Sequence, residues 1–82
     1  MPPEPLSKFG AGKQVVVHTM PSQPDIALRL RELGVKEGSK LSVSLKINTI
    51  TCVKTYTGMY AFNKTLADEI LVEQYKALSA IS

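Results

Sequence analysis

Alternation of hydrophobic and polar residues is the strongest pattern along this chain, and it predicts β-strands. The clearest case is residues 40–47, where leucine, valine and isoleucine alternate with lysine and serine. A period of two residues gives a strand one buried face and one solvated face. We therefore expect Leu41, Val43, Leu45 and Ile47 to lie together in the core.

Four shorter segments also have the β-branched or aromatic composition of strands. They are residues 13–18, 50–57, 60–62 and 70–73. Asn48-Thr49 allows a tight hairpin between the second and third strands. Asn63 or Thr65 is expected to cap one helical turn before the last strand.

A single segment repeats its hydrophobic residues with helical spacing. Ile26, Leu30 and Leu33 fall on one helical face, and Ser22 with Asp25 has the spacing of a capping box. The pattern predicts one helix, at about residues 22–33.

Three glycines are expected to have structural roles, in a helix end and in turns. Gly34 is expected to end the helix in the left-handed conformation, with Val35 folded back onto its last turn. Gly38 and Gly58 are expected in tight turns, where glycine reaches positive φ without steric cost.

These elements predict a mainly β fold, a small barrel of about five strands with one inserted α-helix and a short helical turn. Closure of the barrel would remove exposed sheet edges, which a chain of 82 residues has little material to cover. The barrel is expected at residues 6–73. A disordered tail is expected at residues 1–5, and a tail with helical spacing at 74–82.

Composition narrows the class of protein. The formal net charge is +3, and the lysines and arginines are spread along the whole chain, unlike the concentrated stripe of many nucleic-acid-binding proteins. The single cysteine excludes an internal disulfide, and the proline-rich start lacks the features of a signal peptide. No apolar run approaches the roughly 20 residues of a membrane-spanning helix. We therefore expect a cytoplasmic protein without direct membrane insertion.

Few residues of the chain could perform chemistry. A zinc or iron site needs three or four clustered ligands, whereas His18 and Cys52 stand alone on separate predicted strands. We expect a histidine near the rim of the barrel and a small core thiol. Asp68-Glu69 is expected to face solvent, and no nucleophile elbow or phosphate-binding loop occurs. Neither an enzymatic activity nor a cofactor or metal site is expected.

Two groups of residues are candidates for contact with another protein. The first is an apolar side chain opposite the apolar face of the predicted helix, with two charged neighbours: Leu28, Arg31 and Glu32. The second lies near the predicted turn at Gly58: Tyr56, Met59 and Tyr60. An apolar residue ringed by charge is typical of interfaces. Single exposed leucines are also ordinary, and the second group could equally be packed at the core and rim.

Two segments resemble the FeoA family of ferrous iron transport proteins. Residues 30–43, Leu-Arg-Glu-Leu-Gly-Val-Lys-Glu-Gly-Ser-Lys-Leu-Ser-Val, resemble the family's short helix ending in Leu-Gly-apolar, followed by a glycine turn and an alternating strand. Residues 60–73 resemble its ending, a strand and one helical turn that close on Ile-apolar-Val-Glu. The likeness covers about residues 6–73. The chain departs from the family pattern at Glu37-Gly38, where Pro-Gly is usual, and in its short Asn48-Thr49 loop.

The resemblance implies an SH3-like β-barrel and a bacterial, cytoplasmic accessory protein that binds the cytoplasmic domain of the FeoB ferrous iron transporter and modulates it. We expect a monomer or a weak dimer. Transition-metal binding is associated with the family but is not expected from these residues. Because the same fold occurs in iron-dependent repressors, the alternative is a small-barrel nucleic-acid-binding or repressor-type regulatory domain. The few aromatic residues do not interleave with the lysines, which weighs against nucleic acid and against an aromatic groove for proline-rich peptides.

Overall fold

The computed structural model describes residues 2–75, which form a six-stranded antiparallel sheet and two short helices. The elements in chain order are β1 (Glu4–Pro5), a 3-10 turn (Leu6–Lys8), β2 (Gln14–Thr19), α1 (Pro24–Glu32), β3 (Lys40–Ile47), β4 (Ile50–Thr55), β5 (Gly58–Asn63), α2 (Lys64–Glu69) and β6 (Leu71–Gln74). No helix within residues 2–75 is long and apolar enough to cross a membrane.

The sheet confirms the mainly β, SH3-like fold, but the barrel is not closed. The strands lie in the order β1-β6-β2-β3-β4-β5, and the two end strands, β1 and β5, do not pair within the described part of the chain. α2 contacts both end strands and the 3-10 turn. The space between the two sheet edges is therefore spanned by a helix, and backbone hydrogen bonds do not join them.

The N-terminal segment also differs from the prediction of a disordered tail at residues 1–5. β1 pairs with β6 in antiparallel register. Leu6, directly after β1, is fully buried, and its N–H donates to the carbonyl oxygen of Ile70 at 2.8 Å. Burial of this one leucine holds the residues before it against the sheet, and the proline-rich composition gives no sign of that contact.

The core is a single cluster of buried apolar side chains from the strands, both helices and the 3-10 turn. Its members are Leu6, Val15, Val17, Met20, Leu30, Val35, Leu41, Val43, Val53, Phe62, Ala67, Ile70 and Val72. Of the predicted helical face, Leu30 is fully buried, while Ile26 and Leu33 pack against the cluster from its edge.

α1 lies where the sequence predicts a helix, but its N-terminus is different. Gln23 is the N-cap residue, and no side chain accepts a cap hydrogen bond, so the capping box of Ser22 and Asp25 does not form. Pro24 is the first helical residue. Because a proline pushes the residue before it into the extended region, the helix begins after Gln23.

The C-terminus of α1 is a Schellman motif, as the sequence predicts for Gly34. Gly34 has φ +93°, and its N–H donates to the carbonyl oxygen of Arg31 at 3.0 Å. The N–H of Val35 reaches back to the carbonyl oxygen of Leu30 at 2.8 Å, and Val35 is fully buried. The motif satisfies two helix carbonyls and fixes the direction in which the chain leaves α1.

The last elements agree with the prediction in part. Asn63 caps α2, its side-chain oxygen accepting from the N–H of Leu66 at 2.9 Å. Gln74 belongs to β6, and the N–H of Tyr75 donates to the carbonyl oxygen of Gln14 at 2.6 Å. The predicted helical tail at 74–82 therefore starts as strand, and its remainder, residues 76–82, lies outside the described residues.

A β-bulge in β3 overturns the most regular prediction from the sequence. Val43 pairs with Val53, but the next pair is Leu45 with Cys52, so Ser44 has no partner of its own. An extra residue in one strand shifts the alternation of faces by one position. Leu41 and Val43 are buried as predicted, whereas Leu45 and Ile47 are exposed.

Candidate interaction surface

The helix α1 presents the first group of predicted contact residues. Leu28 is 58% exposed on the face of α1 opposite Leu30, which confirms the predicted helical phase. Arg31 and Glu32 are exposed near it, and a nitrogen of Arg31 lies 3.3 Å from a carboxylate oxygen of Glu37. The pair ties the guanidinium to the turn after α1, so Arg31 can offer a partner only part of its hydrogen-bonding capacity.

The turn between β4 and β5 packs against the end of α1. The hydroxyls of Thr55 and Thr57 both donate to the carbonyl oxygen of Leu33, at 3.0 and 2.6 Å. Tyr56 is 82% exposed, and its ring lies so close to Gly34 that a Cβ there would be 2.9 Å from a ring carbon. The structure thus joins the two predicted groups through the end of α1, with Tyr56 at the junction.

β3, β4 and β5 form a second exposed surface on the side of the sheet away from the core. Cross-strand partners in an antiparallel sheet point to the same face, and the register defines three rows. The rows are Ser42, Lys54 and Met59; Leu45, Cys52 and Ala61; and Ile47, Ile50 and Asn63. We call these nine residues the outer face.

The outer face is apolar and open to solvent. Met59 is 60% exposed and Ile47 is 54% exposed, and Leu45, Ile50 and Ala61 are exposed beside them. Several exposed apolar residues grouped on one face mark an interaction site more strongly than a single exposed leucine does. Tyr60, on the opposite face of β5, is half-buried against the core. Of the second predicted group, Tyr56, Met59 and Tyr60, only Met59 belongs to the outer face.

Sequence reasoning missed the residues of β3 and β4 on this face. A strict period of two places Leu45 and Ile47 in the core, and nothing in residues 40–47 marks Ser44 as a bulge. The sequence does contain one sign of a charged surface. Residues 38–67 include four lysines and none of the seven acidic residues. The topology is needed to interpret this charge imbalance, because residues 38–67 contain the three strands that form the outer face.

His18 and Cys52 remain far from any set of ligands within residues 2–75, where no three metal-binding side chains come together. His18 is exposed, and its Nδ1 lies 2.6 Å from the hydroxyl of Thr19. Cys52 was predicted to be a core thiol, but it is half-buried on the outer face. Cys52 points outward because it alternates with the buried Thr51 and Val53 along β4. Its partner on β3 is Leu45, which the bulge turns to the same face.

Among residues 2–75, Asp68 is the carboxylate that accepts hydrogen bonds from two other side chains. It was expected to be a simple solvent-facing charge, yet it accepts a hydrogen bond from the hydroxyl of Ser7 and another from the ammonium of Lys64, the latter at 2.9 Å. These two bonds, that from Ser7 first, lower the pKa of Asp68 below its ordinary value. The hydrogen bond from Ser7 ties α2 to the 3-10 turn.

An open cleft of about 590 Å³ lies between α1 and α2. Its walls combine apolar side chains, such as Ile26 and Leu66, with charged ones, such as Arg29 and Glu69. The lining residues include no histidine, cysteine or lysine, and the cleft offers contact area beside α1.

Comparison with protein families gives a match over almost the whole described chain. Residues 4–74 match the FeoA domain family. No curated protein matches the sequence.

Solved structures share the fold. A FeoA-like protein from Clostridium acetobutylicum superposes with a TM-score of 0.79 at 15% identity, over 94% of this chain and 92% of that one. An iron uptake regulatory protein (FeoA) gives a TM-score of 0.79 at 20% identity, over 89% and 97%. The FeoA protein from Chlorobium tepidum gives 0.78 at 25% identity, over 88% of this chain and 70% of that one.

Proposed function

Because the chain belongs to the FeoA domain family, which is associated with ferrous iron uptake, we propose that it is a cytoplasmic accessory protein that binds a FeoB-type membrane transporter and modulates its activity. The proposed partner is the cytoplasmic domain of that transporter. In this role the protein works through contact and carries out no reaction of its own.

The observation that carries the proposal is the exposed apolar surface. Leu28 on α1 and Met59 on β5 are each more than half exposed, and charged side chains lie near both of them. Apolar side chains within a polar rim are the usual arrangement of residues that dominate binding between proteins. A domain with this surface and little catalytic equipment is suited to docking.

The test is binding of the purified chain to the isolated cytoplasmic domain of the transporter, measured by calorimetry. Leu28→Asp and Met59→Asp should each weaken binding by about 1–2 kcal/mol, because an apolar contact is lost and a charge is desolvated. Both variants should melt close to the wild-type temperature, since each side chain is exposed.

Ala11→Asp is the matched control, since it also places aspartate at an exposed apolar position, but in the turn before β2. It should bind like the wild type. Absence of binding by the wild-type chain would refute the proposed function. Unchanged binding by both Leu28→Asp and Met59→Asp would place the docking surface elsewhere on the molecule.

A further inference from the structure

The two edges of the sheet are protected to very different degrees. β1 is two residues long and consists of a glutamate and a proline, both of which discourage pairing with another strand. β5 is six residues long, Gly-Met-Tyr-Ala-Phe-Asn, with neither a charge nor a proline. An edge of this kind is a template for an added strand.

The hydrogen-bonding pattern shows which groups of β5 are available. The backbone of Val43 bonds to Lys13 and Gly12 on the β2 side, so the Val43–Val53 pair is not hydrogen-bonded. By the alternation of antiparallel ladders, Val53 then bonds to Tyr60. It follows that the N–H and C=O groups of the residues on either side of Tyr60 point away from β4, toward the open edge.

These residues are Met59 and Ala61, and both are exposed. The two ends of β5 are occupied, one by the turn that packs on α1 and the other by the start of α2. Between these ends, the edge has no hydrogen-bonded strand beside it within residues 2–75. The free backbone groups and the apolar outer face therefore meet at Met59 and Ala61.

Charge indicates what kind of segment fits this surface. Lys54 is the only charged member of the outer face, and it makes no ion pair among the described residues. No acidic residue occurs in 38–67 to balance its charge. A second copy of the chain would bring the same positive face, so an acidic partner is favoured over self-association.

We propose that the outer face and the β5 edge bind an extended segment of a partner protein that carries apolar and acidic side chains on the same face of the strand. The segment would pair with β5 through the backbone of Met59 and Ala61. On the face that it shares with the outer face, apolar side chains would pack on the row of Ala61, and a carboxylate would lie beside Lys54. This mode of recognition is β-strand addition. The inference rests on the proposed function, since it names the kind of element through which a partner such as the transporter would dock.

The test uses the full chain labelled with ¹⁵N and peptides of about ten residues, which are long enough to pair along all six residues of β5. Both peptides consist of valine and threonine except at two adjacent central positions, which are glutamate in one peptide and lysine in the other, so that each face of the strand carries one charge among uncharged side chains. The glutamate peptide should shift the amide resonances of β5, slow hydrogen exchange at Met59 and Ala61, and bind at least about tenfold tighter than the lysine peptide.

Three variants separate the edge and the local charge from net charge. Lys54→Glu should reverse the preference between the two peptides. Lys13→Glu changes the net charge equally but lies before β2, away from the outer face, and should keep the wild-type preference. Ala61→Pro removes an outward N–H without removing a bond to β4, and it should weaken binding of the glutamate peptide at least about tenfold.

Several results would overturn the inference. They are equal affinity for the two peptides, resonance shifts confined to residues outside β3–β5, and an equal effect of Lys13→Glu and Lys54→Glu. Tighter binding of an oligothymidylate than of the glutamate peptide would make this a nucleic-acid surface, and concentration-dependent shifts of β5 without peptide would make it a self-association surface. Because no transporter is present in this experiment, its failure is distinguishable from failure of the proposed function.

Discussion

Gly34 is the residue at which local conformation and tertiary contact meet. Its φ of +93° lies in the region that L side chains rarely adopt, and a Cβ would meet the Tyr56 ring at 2.9 Å. Gly34→Ala should therefore cost about 1–2 kcal/mol for the conformation, and a further steric term unless Tyr56 moves. Urea unfolding of the variant measures the sum.

Gly12 supplies the control for this prediction. Its φ is +91°, and a Cβ at this position has no atom within 4 Å. Gly12→Ala should show the conformational cost alone, and Gly34→Ala should show more. When the ring is removed by Tyr56→Ala, adding Gly34→Ala to that variant should cost about as much stability as Gly12→Ala costs the wild type. A Gly34→Ala variant as stable as the wild type would show that Gly34 does not adopt the left-handed conformation.

The positive φ of Gly34 could be predicted from the sequence because the signal is local. A hydrophobic helical face, then Leu-Gly, then an apolar residue, is sufficient to indicate a Schellman motif. The contact of Tyr56 with Gly34 could not be predicted, because the two residues meet only through the packing of the β4–β5 turn on α1.

At the scale of elements, α1 and β3 show why one periodic pattern succeeded and another failed. In α1 every residue keeps its place in the helical repeat, so the outward position of Leu28 and the inward position of Leu30 follow directly. In β3 the repeat is interrupted once, at Ser44. A strand has only two faces, so one extra residue reverses every position after it.

The bulge predicts different effects of threonine substitutions on its two sides, at Val43 and at Leu45. Leu45→Thr should change the free energy of unfolding by no more than about 0.5 kcal/mol, because Leu45 is exposed. Val43→Thr should cost about 1–3 kcal/mol, because it buries a hydroxyl in the apolar core. Chemical denaturation measures both, and a larger loss for Leu45→Thr than for Val43→Thr would show that β3 has no bulge.

At the scale of the whole molecule, five of the six strands could be predicted from the sequence, but β1 and the open barrel could not. The argument for closure was that a small domain must protect its edges. The protein protects one edge with a short strand containing proline and leaves much of the other exposed, while α2 lies between them. The open edge of β5, beside the outer face, follows from this arrangement. The candidate site could therefore not be predicted by considering each strand separately.

α2 lies between the two sheet edges and contacts the 3-10 turn, and Asp68 joins these two elements through its hydrogen bond from Ser7. Hydrogen bonds from Ser7 and Lys64 lower the pKa of Asp68 in the folded state below the ordinary value of 3.8. A carboxylate with a lowered folded-state pKa stabilises the protein fully above its ordinary pKa, and this stabilisation is lost as pH falls through the folded-state value. Asp68→Asn should therefore be less stable than the wild type at neutral pH, and the difference should shrink once the pH drops below about 4.

Urea unfolding of both proteins between neutral pH and the acid limit of the folded state measures that difference. Glu69→Gln is the matched control, because it removes the neighbouring charge of α2 from an exposed side chain, and its smaller effect should not follow the same course with pH. A stability difference between wild type and Asp68→Asn that stays constant down to the lowest pH would show that the Asp68 charge plays no part in holding α2 to the 3-10 turn. The span between β1 and β5 would then depend on the buried apolar contacts of Leu6, Ala67 and Ile70 and on the backbone hydrogen bond from Leu6 to Ile70.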